Sequence, residues 1–167
     1  GKNANSAILV QIPRNDFDQG HPLDGFLFQK KLEQLGFFEG FMAPAQNIKD
    51  YLVHTPSDKL VIETSYPRNT ITKDMHAFFS DEVNQAMEEG MKQFDKKIHG
   101  WIENGIMVGL ETRSSSPIKM IRNEDGSSST IKGLYPCGEG AGYAGGIVSS
   151  AVDGIKQAEN YIAHLNQ

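Results

Sequence analysis

The sequence has little cysteine and tryptophan, with one residue of each among 167. Because Cys137 is the single thiol, an internal disulfide and a C-x-x-C redox pair are both excluded, and we expect a reducing, cytoplasmic compartment. No apolar run approaches the roughly 18 residues that a membrane-spanning helix needs. Basic residues number 16 against 21 acidic ones, and the net charge of −5 argues against a nucleic-acid-binding surface.

Metal-binding patterns are also missing from the sequence. The five histidines, at positions 21, 54, 76, 99 and 164, have no zinc-ligand spacing with one another or with Cys137. We therefore predict no metal site. The hydrophobic content of 38% and the charged content of 22% are ordinary for a globular protein. The length is sufficient for one domain or for one and a half.

The clearest predicted helix covers residues 81–98. Ser80 is suited to cap it, and the acidic residues of its first turn complement the helix dipole. Its apolar residues recur at steps of three and four and form one stripe: Val83, Met87, Met91, Phe94 and Ile98. Gly100 can end the helix in the left-handed conformation. We interpret the two methionines of the stripe as core residues.

The remaining predicted elements are shorter or less regular. Further helices are predicted at 22–35, 45–53 and 147–165. Short strands are predicted at 7–12, 60–64, 106–112 and 118–122. The sequence Asn-Glu-Asp-Gly at 123–126 is a turn signal that indicates a hairpin or a small flap. Together these elements predict a mixed α+β fold in which two long helices pack on a few short strands.

The most informative segment is 133–158, which predicts a short strand, a glycine-rich turn and a helix. Five of the nine residues from 138 to 146 are glycine: Gly138, Gly140, Gly142, Gly145 and Gly146. Glycine loses more chain entropy on folding than other residues, and an ordinary tight turn does not require so many of them. Bare backbone at the start of a helix favours a phosphate or an electron-rich ring as ligand. The alternative is a plain strand-to-helix turn.

Residues 140–145 also match the pattern G-x-G-x-x-G of dinucleotide-binding folds. That fingerprint requires a following strand and an acidic residue about 20 positions further on. Twenty positions after Gly145 is Leu165, two residues before the end of this sequence, so we reject the fingerprint. The pattern Gly138-Glu139 after an apolar strand, followed by Gly145-Gly146-Ile147 at a helix start, is more typical of the last part of an FAD domain.

Arg113 is a second candidate ligand residue. It alternates with Glu111 at the end of a predicted strand and is followed by three serines and Pro117. An arginine in this setting can hold a carboxylate, a phosphate or a flavin carbonyl. A structural ion pair between Glu111 and Arg113 is an equally good interpretation.

Over nearly its whole length the sequence resembles the C-terminal portion of a family of bacterial FAD-dependent dehydrogenases. The most specific block is 133–156, and the supporting blocks are 4–7, 44–46 and 111–117. The resemblance implies a partial two-domain flavoprotein whose N-terminal Rossmann half is absent here. Residues 1–103 would be the latter part of an inserted cap domain that covers the flavin. Residues 104–167 would be the C-terminal strand, turn and helix of a Rossmann-like FAD domain.

The resemblance also implies the residues that contact FAD. Glu139 would accept a hydrogen bond from the ribityl chain or the ribose, and the amides of Gly146 and Ile147 would face the flavin C2 carbonyl or the pyrophosphate. The complete set is Gly138, Glu139, Gly140, Tyr143, Gly145, Gly146, Ile147 and Arg113. Tyr143 would stack on the isoalloxazine ring, or equally would seal the turn against the hairpin.

The partners follow from the same resemblance. We expect an oxidoreductase in the longer protein, with FAD as cofactor, and weak or no FAD binding by this chain alone, because the adenine would bind the missing half. Exposed surfaces would allow a homodimer. The alternative is a stand-alone binding module that uses the glycine turn for a phosphate-containing ligand or a protein, without redox chemistry. No catalytic acid or base and no substrate are indicated.

Overall fold

A computed structural model describes residues 2–166 and divides the chain into two compact units. The first unit contains the residues up to 16 together with 30–112. The second contains 17–29 and the residues from 113 onward. The predicted division into 1–103 and 104–167 stays a prediction. No helix among the described residues is both long and apolar enough to cross a membrane.

Five α-helices and three short strands form the regular structure of the described residues. The helices are α1 (Asp24–Leu35), α2 (Ile48–Leu52), α3 (Asp81–Lys97), α4 (Trp101–Asn104) and α5 (Ile147–Leu165). The strands are β1 (Ala43–Asn47), β2 (Thr70–Thr72) and β3 (Ile106–Val108). Single 3-10 turns lie at Arg14–Asp16, Glu39–Phe41 and Met75–Phe78.

The strands form one mixed sheet in the first unit, with β1 in the centre. Ala45 of β1 pairs in parallel with Thr72 of β2 and antiparallel with Val108 of β3. Both neighbouring strands are only three residues long. Of these three strands, β1 alone is buried along its whole length. Helices around a small mixed sheet confirm the predicted α+β class.

The core of the first unit lies between α2 and α3. Its buried side chains are Ile48, Tyr51, Met75, Met87 and Met91. The prediction that the two methionines of the α3 stripe are core residues is therefore confirmed. The C-terminal end of the same stripe is different, because Phe94 and Ile98 are both exposed.

The boundaries of α3 follow the capping residues. The hydroxyl of Ser80 accepts a hydrogen bond from the N–H of Val83, as predicted, and Asp81 and Glu82 lie at the positive end of the helix dipole. The helix ends at Lys97. Gly100 has the expected left-handed backbone, with φ +83°, and serves as the N-cap of α4.

Buried polar side chains hold β1 in place and organise the chain around it. The side-chain oxygen of Gln46 accepts a hydrogen bond from the N–H of Met75 at 2.8 Å, and its amide group donates to the Thr55 carbonyl. The side chain of Asn47 accepts from the N–H of Val61 and donates to the Lys59 carbonyl. Irregular segments therefore pack against the strand through side-chain hydrogen bonds instead of a backbone ladder.

Several predicted elements are wrong. Residues 7–12, 60–64 and 133–139 form no strand, and 118–122 has only an isolated bridge between Arg122 and Ser128. The segment 45–53 begins as β1 and becomes helical only at Ile48. Apolar composition alone does not make a strand, because each strand also needs a partner for its backbone groups. The predicted turn at 123–126 is present, with the N–H of Gly126 donating to the Asn123 carbonyl.

Candidate functional site

The glycine-rich turn lies in the second unit, directly before α5. It is preceded by irregular chain instead of the predicted strand: Gly133 has a positive φ of +78° and Pro136 has no N–H to donate to a sheet. The turn is closed by two backbone hydrogen bonds, from Gly142 to the Glu139 carbonyl and from Tyr143 to the Gly138 carbonyl. Seven of the eight predicted ligand residues therefore lie within residues 138–147, in one compact turn and the helix start that follows it.

Two of the glycines are required by the fold of the turn itself. Gly138 and Gly142 have φ values of +70° and +80°, a conformation that other residues rarely adopt. At Gly142 a Cβ atom would also lie 2.5 Å from the Ile118 carbonyl oxygen. A side chain is therefore excluded at Gly142 by space as well as by backbone conformation.

At positions 140 and 145, neither the backbone conformation nor the packing within the described chain requires glycine. Neither Gly140 nor Gly145 has a positive φ, and a Cβ atom at either position would find no atom of the chain within 4 Å, apart from its own neighbours. Both residues are exposed. Since packing within the described chain does not demand glycine at these positions, their bare backbone is available for close approach from outside.

The start of α5 exposes backbone donors next to these glycines. The first N–H groups of a helix have no partner within the helix, and they carry the positive end of its dipole. Gly146 is the N-cap and has no side chain to accept from them. The hydroxyl of Ser149 accepts from the N–H of Gly146 at 3.1 Å, and Ile147 is 93% exposed. This arrangement suits an anionic or electron-rich ligand.

One buried polar atom lies under the turn. The hydroxyl of Ser150 is buried and has no hydrogen-bond partner among residues 2–166. A Cβ atom on Gly138 would lie 3.7 Å from the Cβ of Ser150. Buried hydroxyls usually have a partner. An orphaned hydroxyl beneath bare glycine backbone is thus compatible with a ligand group at this turn.

An ion pair fixes the turn to α5. The guanidinium of Arg122 donates to both carboxylate oxygens of Asp153 at 3.1 Å and to the Pro136 carbonyl. The same carboxylate accepts from the N–H of Gly138 at 2.8 Å. The hydrogen bond from Gly138, together with Arg122, lowers the pKa of Asp153. Sequence patterns do not predict this pair, because its members lie 31 positions apart and neither is in a recognisable motif.

Tyr143 is packed against cations. The centroid of its ring lies 3.3 Å from the Arg122 guanidinium carbon and 4.7 Å from the Lys119 ammonium nitrogen. Its hydroxyl accepts a hydrogen bond from the backbone N–H of Arg122. These contacts correspond to the interpretation in which Tyr143 seals the turn. Stacking of this ring on a flavin stays a prediction.

Glu139 and Arg113 are both exposed. Glu139 lies inside the turn, where its carboxylate faces solvent. Arg113 is in irregular chain, because β3 ends at Val108, earlier than predicted. Ser116, from the same serine-rich segment as Arg113, donates a hydrogen bond to the Gly140 carbonyl at 3.3 Å. The serine segment therefore does contact the turn, whereas the role of Arg113 stays a prediction.

A second cluster of functional groups lies in the first unit. His54, His76 and Glu88 have side-chain ligand atoms that all lie within 4.8 Å of one another. They come from the turn after α2, the 3-10 turn Met75–Phe78 and α3. Their spacings in the sequence form no metal-binding motif, and for this reason the sequence did not reveal them.

Comparison with known proteins gives two matches. The family model described as "FAD-dependent protein, C-terminal domain-like" matches residues 1–114. An uncharacterised protein of Clostridium beijerinckii is 43% identical over 165 residues, which cover 96% of this chain and 31% of that protein. The chain thus spans about a third of its relative's length. The glycine turn lies outside the segment that the family model matches but inside the segment that the relative covers.

Proposed function

Since this chain belongs to the FAD-dependent protein C-terminal domain-like family, we propose that it is part of an FAD-dependent oxidoreductase and that residues 138–147 form one wall of the FAD site. The observation that supports the turn as that wall is the exposed bare backbone of Gly140 and Gly145 beside the start of α5. Neither glycine is explained by the conformation or packing of the chain. Close approach of a ligand would account for both.

The residues of the turn have distinct roles in this proposal. The carboxylate of Glu139 accepts a hydrogen bond from a hydroxyl of the ribityl chain. The amide of Ile147 donates toward the flavin carbonyl and stabilises negative charge on the reduced ring, and the amide of Gly146 joins it by exchanging the Ser149 hydroxyl for the flavin. FAD, when bound, supplies the transfer of hydride or electrons, and the protein supplies orientation and electrostatics. Arg122 and Asp153 act indirectly, because they hold Gly138 and thereby the shape of the turn.

The rest of the FAD site belongs to a longer protein in this proposal. The relative from Clostridium beijerinckii is about three times as long as the segment it shares with this chain. We place the adenine and most of the pyrophosphate on that additional part. The first unit, or residues 1–103 in the sequence-based division, would be part of the domain that covers the flavin. FAD binding by the isolated chain is then weak or absent.

The apolar face of α5 supports this assignment. The helical spacing of Ile147, Ile155, Ile162 and Leu165 puts them on one face, and all four are more than half exposed. Helices of soluble proteins normally bury such a face. We propose that the additional part of the longer protein covers it.

A chimera tests the proposal with this chain's own residues. The segment of the Clostridium beijerinckii relative that matches this chain is replaced by residues 2–166, and FAD binding is measured by titration and by the absorbance of the bound flavin. Gly145→Val would place a branched side chain on the exposed backbone. We expect it to weaken FAD binding at least about tenfold, which corresponds to about 1.4 kcal/mol.

Gly90→Val in α3 is the matched control, because a Cβ atom at Gly90 also has no neighbour within 4 Å. This variant should bind FAD as the parent chimera does. If neither the relative nor the chimera binds FAD, the flavoprotein assignment is wrong, and a stand-alone binding module becomes the better interpretation. If both glycine variants bind FAD equally well, the protein is a flavoprotein but the turn is not part of its site.

A further inference from the structure

A cleft in the first unit contains two imidazoles and a carboxylate whose ligand atoms lie within 4.8 Å of one another. His54 follows α2, His76 lies in the 3-10 turn Met75–Phe78, and Glu88 lies on α3. The cleft has a volume of about 360 Å³, and Asp81, Asn84 and Gln85 complete its lining. The glycine turn lies in the other unit, and the roles proposed above for FAD binding use none of these three residues.

Two distances within the cluster, those from each histidine to Glu88, are in the range of ligands around one metal ion. The Nε2 atom of His54 lies 3.0 Å from Oε1 of Glu88, and the Nε2 atom of His76 lies 3.3 Å from the same oxygen. Two atoms that bind one Zn²⁺ at about 2.0–2.2 Å lie roughly 3–3.5 Å apart. The ligand atoms of the two histidines lie within 4.8 Å of each other and their rings are stacked, so the exposed ring of His54 would rotate out of the stack to share an ion with His76 and Glu88.

The packing holds His76 in one orientation. Its ring is stacked between Tyr51, at 3.9 Å between ring centroids, and His54, at 4.3 Å. The hydroxyl of Tyr51 donates to the side chain of Asn84, which in turn donates to the His76 carbonyl. His76 is thus held in place before any ion binds.

The second ring nitrogen of His76 has the environment expected for a metal ligand. Its Nδ1 atom is buried and has no hydrogen-bond partner among the described residues, but Oδ1 of Asp74 faces it at 3.5 Å. Metal-binding histidines commonly direct this nitrogen toward a carboxylate, which fixes the tautomer that presents Nε2 to the ion. A slight approach of Asp74 would complete such a pair.

The charges around the cluster favour a cation. The side chain of Glu88 is mostly buried, and its Oε1 atom faces both histidines. Lys92 contacts the other carboxylate oxygen, Oε2, at 3.4 Å and leaves Oε1 to the histidines. Asp74, which faces His76, and Asp81, which lines the cleft, add negative charge near the cluster.

We propose that His54, His76 and Glu88 bind a divalent first-row transition metal ion, with Zn²⁺ as the best match. Two imidazoles and one carboxylate form a ligand set that zinc uses where a further coordination position stays open. The cleft that these side chains line has room for a water molecule or a small oxygen-containing ligand. A metal site at this place does not depend on the proposed FAD function.

The test is a Zn²⁺ titration of the untagged chain by calorimetry after treatment with a chelator and its removal. We expect saturable binding of one ion per chain. His54→Ala is the first variant, because the side chain of His54 is 65% exposed and its removal should not disturb the fold. Glu88→Gln is the second, since it keeps the size of the side chain and removes its charge.

Each variant should weaken Zn²⁺ binding at least about tenfold, the loss already seen when only an outer partner of a ligand is changed. The matched controls are His99→Ala and Glu89→Gln, which make the same changes outside the cluster and should bind as the parent chain does. Co²⁺ gives a second readout, because its visible absorption bands should appear with the parent chain and be lost with both cluster variants.

Two results would overturn the proposal. One is the lack of saturable binding by the parent chain. The other is an equal effect of the cluster variants and their controls on the Zn²⁺ affinity. Circular dichroism of each variant separates loss of a ligand from loss of the fold. If the metal is absent from the site, the three side chains form a hydrogen-bonded group that only joins α2 to α3.

Discussion

Asp153 is the residue on which the shape of the glycine turn most depends. Its carboxylate holds Arg122 and the N–H of Gly138 at once, and both side chains of the ion pair are mostly buried. Removing one partner from such a group leaves the other without compensation, which is more costly than losing a surface pair. Through these two contacts the charge of Asp153 helps to set the backbone conformation of the glycine turn.

We predict that Asp153→Asn lowers the free energy of unfolding by about 1–3 kcal/mol, the usual cost of an unsatisfied buried partner. Urea denaturation measures this difference. Glu159→Gln, an exposed position of the same helix, is the control and should change the stability by less than about 0.5 kcal/mol.

The pH dependence of this difference has a definite sign. Because the pKa of Asp153 is lower in the folded chain than in the unfolded one, its stabilisation is complete above the unfolded value of about 3.9 and is lost as the pH falls through the folded value. The gap between the parent chain and Asp153→Asn should therefore be constant near neutral pH and shrink in acid. A gap that grows as the pH falls would contradict the assignment.

The elements differ in how well the sequence predicts them. α3 and α5 were predicted within one residue of their observed ends, because each has a periodic apolar face and a clear start signal. β1 was missed. Its five residues, Ala-Pro-Ala-Gln-Asn, include no β-branched or aromatic side chain. They are held by hydrogen bonds that the side chains of Gln46 and Asn47 accept from distant segments.

The two candidate sites differ in the same way. The glycine turn was found from the sequence because its residues are contiguous, although the strand before it was wrong. The cluster of His54, His76 and Glu88 was not found, since only the packing of α2, α3 and the 3-10 turn brings its members together. Sequence patterns report local constraints, and a site assembled from three elements leaves no local pattern.

β1 also provides a stability prediction. Gln46→Ala removes the acceptor of the Met75 N–H and the donor to the Thr55 carbonyl, and it leaves a cavity in a fully buried position. We expect a loss of about 2–4 kcal/mol in the free energy of unfolding, since each unsatisfied buried group costs about 1–3 kcal/mol. Thermal or urea denaturation measures it.

Gln34→Ala, on the exposed side of α1, is the control and should have little effect. A Gln46→Ala variant as stable as this control would show that the hydrogen bonds of β1 contribute little to stability.

At the scale of the whole molecule, the exposed face of α5 is the most conspicuous surface. An uncovered apolar face of this kind drives association in water. We predict that the isolated chain self-associates as its concentration rises, and that Ile155→Glu reduces this association without a large loss of stability, because Ile155 is 61% exposed. Sedimentation velocity over a concentration series measures it.

Val53→Glu is the matched control, with 64% exposure in the first unit. It should leave the association of the chain unchanged. Equal behaviour of the two variants would place the associating surface elsewhere and would remove one support for a covering segment in the longer protein.

The side-chain bonds around β1 also affect how the chain opens to solvent. The N–H of Val61 is in irregular chain, yet it donates to the side chain of Asn47 at 2.9 Å, and the N–H of Met75 donates to Gln46. In hydrogen–deuterium exchange these two amides should be protected as if they belonged to a sheet. The loop after α2 would then open together with β1 as one cooperative unit, and a map of exchange rates would show an ordered region larger than the assigned secondary structure.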